Sequence, residues 1–331
     1  MGLWAYRTYV DYVQRHARGR DSVDLMYPYT EELDADHPKV LLGYFSMPLW
    51  MDTFDVSFAE GDIAFRRVLD SYRMAANGHV RRVRDQVNAI RGLRTGKALI
   101  KEIHDTGRWL RILPNWQWLE APNAYTVVDG SILGEPGGGG LEQWKAATVK
   151  GAPMADGKGW PWRDDAGTLV LGDGGGTNAL IWYSPEMFEG RYRPTEPAQQ
   201  PDEVLYHELV HASRDMRGVR KNFLVNKGYD NFEEYLAVVL TNIYLSDKGQ
   251  LVFAGNHGGT VILHGADADN FLHNSQNVDV PPTMLIQNFK DYQPEFYRAL
   301  ATLPSWRPKH NWVRQYDEEW RAFARQNQRP A

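Results

Sequence analysis

The sequence predicts a mixed α+β fold, and three observations predict it. His207-Glu208-Leu209-Val210-His211 lies in a stretch with helical start and stop signals; residues 229–244 repeat the helical pattern around the pair Glu233-Glu234. Upstream of both, an alternating stretch at residues 108–113 and an apolar stretch at 179–183 read as strands.

The first helix is predicted from its ends. Pro201 and Asp202 suit a first turn, Glu203 complements the helix dipole there, and Gly218 is placed to stop the helix after Arg217. Leu205, Leu209, Ala212 and Met216 recur at helical spacing and give one face to bury. On a helix, residues four apart share a face, so His207 and His211 can aim an imidazole nitrogen at one point, as zinc requires. Glu208 is then close enough to accept a proton from water without being a ligand. The bland reading is a solvated helix that happens to carry two histidines and a glutamate.

A hydrolytic zinc needs a third protein ligand and one open position. In the second helix, Asp230 and Glu233 read as a capping box, which leaves Glu234 as the ligand, with Glu233 as the alternative. Glu234 shares a face with Ala237, Val238 and Thr241, small enough for a close helix pair. Two exposed glutamates in a first turn is the competing reading. His257, in a glycine-flanked loop, reads either as a donor to a developing oxyanion or as a loop histidine without chemistry. Asp215, one turn beyond His211, is a candidate to orient an imidazole.

Composition narrows the class without choosing a partner. At 24% charged and 43% hydrophobic over 331 residues the chain is an ordinary globular one with a substantial core, and its net charge of -5 points nowhere in particular. No cysteine is present, so neither a disulfide framework nor a thiolate metal site is available; zinc must be held by His, Glu or Asp. No apolar run reaches membrane-spanning length, and residues 1–7 lack the basic start and apolar core of a signal peptide.

Taken in order, residues 3–18 read as an amphipathic helix, followed by an interrupted aromatic region over 20–60. Residues 66–111 carry twelve basic and four acidic side chains, with Val80, Val83, Val87 and Ile90 at helical spacing. This is read as the solvated basic face of an amphipathic helix rather than as a nucleic-acid surface, because no aromatic platform accompanies it. Residues 95–103 continue as a helix. Residues 119–168, with Gly137 to Gly140, read as surface loops or an inserted lobe. The glycines of 172–178 read as a tight turn joining strand 168–171 to strand 179–183, and residues 180–183 are nominated as the sheet edge that would pair with an extended substrate. Aromatic C-terminal helices, with Phe289, Phe296, Trp306, Trp312 and Trp320, are expected to pack on the core.

The order Gly174-Gly175-Gly176, Ile181-Trp182-Tyr183-Ser184-Pro185, His207-Glu208-Leu209-Val210-His211-Ala212, then Glu233-Glu234 with Ala237 and Thr241-Asn242-Ile243-Tyr244, resembles the NleD-like effector zinc metallopeptidases over residues 93–305. Similar domains occur at the ends of type VI secretion spike proteins. The resemblance implies a zincin-like, gluzincin fold with a small sheet and bacterial origin. It also implies delivery by a specialised secretion system without a signal peptide, and proteolysis of a protein in a host or rival cell, in host cytosol or target-cell periplasm. It assigns His207, His211 and Glu234 to the metal and Glu208 to the general base.

The expectation is therefore a zinc metallopeptidase domain over 93–331 with a glycine-rich insertion at 119–168, preceded by an N-terminal helical and aromatic extension, 1–92, of delivery or regulatory use. Metal: Zn2+ on His207, His211 and Glu234; catalytic groups: Glu208 and His257. Partners would be a protein substrate and a secretion spike, chaperone or immunity protein, with no nucleic acid and no membrane span. The alternatives are a non-catalytic zinc-binding adaptor and an amidase acting on cell-wall peptides.

Overall fold

A five-stranded mixed sheet, backed by helices, carries the fold in the computed structural model. The structure describes residues 28–37, 39–45, 79–113, 124–128, 141–156, 160–161, 163–164, 166–189, 197–221, 223–225, 228–257, 259–273 and 280–327. The helix expected at 3–18 lies outside them.

Strands β1 (Pro28–Glu32), β2 (Val40–Phe45), β3 (Leu110–Leu113), β4 (Tyr125–Val128) and β7 (Ala179–Trp182) form the main sheet in the order β1-β2-β3-β7-β4. The β2–β3 and β3–β7 pairs are parallel, while β1–β2 and β4–β7 are antiparallel. A helical stretch over 79–92 (α1) and α2 (Arg94–Asp105) precede β3. Val83, Val87 and Ile90 are fully buried and Val80 nearly so, as their spacing predicts for the inner stripe of a helix. Three of the described basic side chains nearby are tied internally: Arg91 pairs with Asp34, Lys101 with Asp105, and Arg108 donates to the Gly175 carbonyl. The boundary expected at residue 92 falls between two helices that share one core, and β1 and β2 extend the same sheet.

The motif helix α4 (Pro201–Arg217) starts with proline in its first turn, receives the Gln200 amide on the Glu203 carboxylate, and ends at Gly218 in the left-handed conformation, φ 72°. Helix α5 (Phe232–Lys248) packs along it. Its cap corrects the expectation: Asn231, not Asp230, accepts the amides of Glu233 and Glu234, since the chain becomes helical one residue later than the capping-box reading assumes.

Three further expectations are overturned. Residues 168–171 form isolated bridges, from Leu169 to Arg163 and from Leu171 to Pro153, and no strand. The glycine run is no hairpin; it lies against the end of α4, where a Cβ on Gly176 would sit 2.2 Å from the Met216 carbonyl oxygen. β7 is not an edge. It is paired on both sides, and the edges among the described strands are β1 and β4, the latter from the segment expected to be loop or lobe. The reason is that the four residues Tyr125–Val128 are too few to show a period in sequence, while their partner β7 is buried along its whole length.

The other described elements are helices and two short strand pairs. Helix α3 (Leu141–Ala147) and the short pair β5 (Ala155–Asp156) and β6 (Trp160–Pro161) precede β7; β8 (Val252–Ala254) and β9 (Ile262–His264) pair after α5. Then come α6 (Ala266–Asp269), α7 (Pro282–Tyr292), α8 (Pro294–Ala301) and α9 (Trp312–Asn327). Phe289, Phe296 and Trp312 are buried as expected, whereas Trp306 and Trp320 are exposed. No helix among the described residues is long and apolar enough to cross a membrane.

Candidate metal centre

The residues of the motif reach the site because α4 packs one face into the core and turns the next toward a cleft. Leu205, Leu209, Ala212 and Met216 are buried, while His207 faces the opening and His211 lies deeper. The first turn of α5 brings Glu234 across. Its Oε2 is 3.2 Å from His207 Nε2 and 3.2 Å from His211 Nε2, and the two imidazole nitrogens are 3.1 Å apart. Among the described residues His207, His211 and Glu234 are the group whose ligand atoms converge as a cation site requires.

These three atoms, each a lone-pair donor when unprotonated, stand in mutual contact, an arrangement held by protons or by a cation among them. The local field says the same. Burial opposes charge on His211, but the Glu234 carboxylate beside it, helped by Glu208, outweighs burial and pushes the imidazole up to about 9. Burial likewise opposes the Glu234 carboxylate, and the two histidines overcome it, holding the group well below the usual carboxylate range. A pocket that draws a proton so strongly draws a divalent cation too, and two imidazoles with one carboxylate are a donor set suited to zinc. The residues present therefore fit the metal.

Glu233 has a different task, as expected, though not the expected one. It receives Arg214 through both carboxylate oxygens and the Lys221 amide through Oε1; Arg214 also donates to the Gln293 side chain and the Val219 carbonyl. This buried pair fixes α5 on α4 one residue from Glu234. Asp215 corrects an expectation: its carboxylate takes Arg220 Nη1 at 2.7 and 2.8 Å, and His211 Nδ1 has no hydrogen-bond partner among the described residues. An arginine nine residues from the motif's last histidine outcompetes the imidazole because it offers a full charge and contacts both carboxylate oxygens.

Glu208 is buried, and its Oε2 accepts the Thr126 hydroxyl from β4 at 2.8 Å. Thr126 was not legible in the sequence; no local signal marks a threonine in so short a strand. His257 stacks on His207 with ring centroids 5.7 Å apart, its Nε2 is 3.1 Å from Glu234 Oε2, and its Nδ1 is 3.1 Å from Asp230 Oδ2. A cleft of about 180 Å³ opens onto His207, Glu208 and His257 between the apolar walls of Phe188, Pro197 and Val238.

A buried base, a converging donor set and a cleft that reaches both are what a hydrolytic metal site needs. A scan against family profiles matches residues 70–241, just over half the chain, to Peptidase_M91, described as effector protein. No curated protein matches the chain. No solved structure matches it either. The chain belongs to this family, that of the NleD-like effector metallopeptidases.

Proposed function

We propose that the protein is a zincin-like zinc metallopeptidase of the gluzincin type, delivered as a secreted bacterial effector, that hydrolyses peptide bonds in a protein of a target cell. The observation that carries this is the convergence of His207, His211 and Glu234 beside a buried Glu208. Family membership supports the peptidase and effector parts. Delivery by a type VI or related secretion system, toxic action in host cytosol or target-cell periplasm, and binding to a spike, chaperone or immunity protein are part of the same proposal. So is the assignment of a delivery or regulatory task to residues 1–92.

His207, His211 and Glu234 would hold the zinc, which supplies a Lewis acid that makes water acidic near neutral pH and polarises a carbonyl. Glu208 takes the proton of the attacking water and later gives it to the leaving amine. Asp230 Oδ2 holds the His257 ring by Nδ1, which leaves Nε2 toward the site, where an Nε2–H would donate to the negative charge growing on the carbonyl oxygen. The apolar cleft walls take a side chain of the substrate and keep water from the reacting carbonyl.

A second reading, a metal that only braces two helices, draws on the short approach of His257 to Glu234, since structural sites fill four positions with protein ligands. One experiment separates the two. Glu208→Gln should keep about one zinc per chain and lose cleavage by a factor of about 10² to 10⁴. His257→Ala should keep its zinc and lose rate; loss of zinc from His257→Ala, with Glu208→Gln unchanged from wild type, would establish the brace.

A further inference from the structure

Thr126 on β4 and Glu208 on α4 meet where strand and helix pack together. They are 82 residues apart in sequence, and the Thr126 Oγ stands 2.8 Å from Glu208 Oε2 and 2.9 Å from the Glu208 backbone carbonyl oxygen. One hydroxyl proton therefore has two acceptors on one residue. The backbone that carries it is fixed: Thr126 is opposite Ile181 in the antiparallel β4–β7 pair, and β4 packs on α4. A β-branched side chain on a paired strand has few rotamers to choose from, so the hydroxyl is held in place before any substrate arrives.

We propose that Thr126 is the positioning residue for Glu208 and selects which carboxylate oxygen works. With the hydroxyl donating to Oε2, that oxygen is engaged and Oε1 is the one that takes the proton. The O–H bond of water breaks, the proton passes to Oε1, the oxygen bonds to the peptide carbon, and the same proton leaves Oε1 for the amine nitrogen as the C–N bond breaks. Atoms and charge balance with no further reactant. The backbone carbonyl gives the hydroxyl a second acceptor through both protonation states, so the cycle never strands it as an unpaired donor in a partly buried position. This inference rests on the hydrolase reading above.

The test compares wild type, Glu208→Gln, Thr126→Val and Thr126→Ser, measuring bound zinc, the thermal midpoint of metal-free protein, and kcat and KM on a peptide from a proteome-derived library that wild type cleaves. Val keeps the shape and removes the hydroxyl; Ser keeps the hydroxyl. The expected result is unchanged zinc and midpoint in all four, kcat of Thr126→Val lower by about 10- to 100-fold with KM within about twofold, and most of kcat regained in Thr126→Ser. Wild-type kcat in Thr126→Val with Glu208→Gln inactive would overturn the inference and leave the hydrolase standing. Loss of zinc or a lowered midpoint in Thr126→Val, not repaired by Ser, would overturn it in favour of a structural contact. A zinc-loaded wild type that cleaves nothing in the library would instead remove the hydrolase reading and this inference with it.

Discussion

Two clusters of charged groups lie a turn apart on the motif helix, and they are built on opposite rules. In the buried one, each described charge has its partner: Arg214 with Glu233, Asp215 with Arg220, and Arg217 with Glu102, which also receives Gln293. In the cleft, His207, His211 and Glu234 gather acceptors around one point without enough donors to satisfy them. Buried ion pairs contribute little net stability but are costly to break, which suits a cluster that holds two helices in register. A converging set of lone pairs is costly unless an ion fills it, which suits a cluster that works. Adjacent residues on one helix, Glu233 and Glu234, belong one to each.

The sharpest way to break this comparison is to exchange the roles of that pair. Glu234→Ala should reduce bound zinc from about one per chain to a small fraction and remove activity, while shifting the unfolding of metal-free protein far less; metal content and urea unfolding measure both. Glu233→Ala should do the reverse. It strands the fully buried Arg214 and should cost about 3–5 kcal/mol in the unfolding free energy, with zinc still bound by the fraction that remains folded. Zinc lost from Glu233→Ala at wild-type stability would assign the ligand to the wrong neighbour.

A third situation sharpens the contrast at lower cost. His79 is buried, and neither ring nitrogen has a hydrogen-bond partner among the described residues, so burial, assisted by Arg82, pushes its pKa down to about 3. The unfolded chain then takes the proton first. Stability from this group is complete above about pH 6.5 and is lost as pH falls toward 3, amounting to about 2 kcal/mol by pH 5. Urea unfolding of metal-free protein at pH 6.5 and 5 should show that loss in wild type and a smaller one in His79→Leu. Equal slopes in the two proteins would show that His79 is solvated or paired.

What the sequence made legible was what is local. The helix of the motif, its proline start and glycine stop, the inner stripe of α1 and the facing of His207 and His211 all follow from spacing within a few turns. The reading of Glu234 as a candidate ligand leans on a cap that the structure moves to Asn231, so its reason is partly mistaken. The long-range contacts were not legible: Arg214 with Gln293 is 79 residues apart and Thr126 with Glu208 is 82, and side-chain type alone does not announce such partners. Strand order was equally hidden. An apolar run of four residues reads the same at the edge of a sheet as inside it.

The meeting of the glycine run with the end of α4 bears on how genetic data for this protein will look. A Cβ on Gly218 would lie 2.5 Å from the Gly174 carbonyl oxygen and from the Gly176 amide nitrogen, and one on Gly176 would strike the Met216 carbonyl. These positions have no room for any other amino acid, and Gly174, Gly176 and Gly218 also hold positive φ. A saturation screen scored on activity alone would rank them beside His207 and Glu208 and draw the active site a helix turn too large. Scoring the same library for abundance as well would sort it, because the glycine variants would disappear from the cell while Glu208→Gln would accumulate as intact, silent protein.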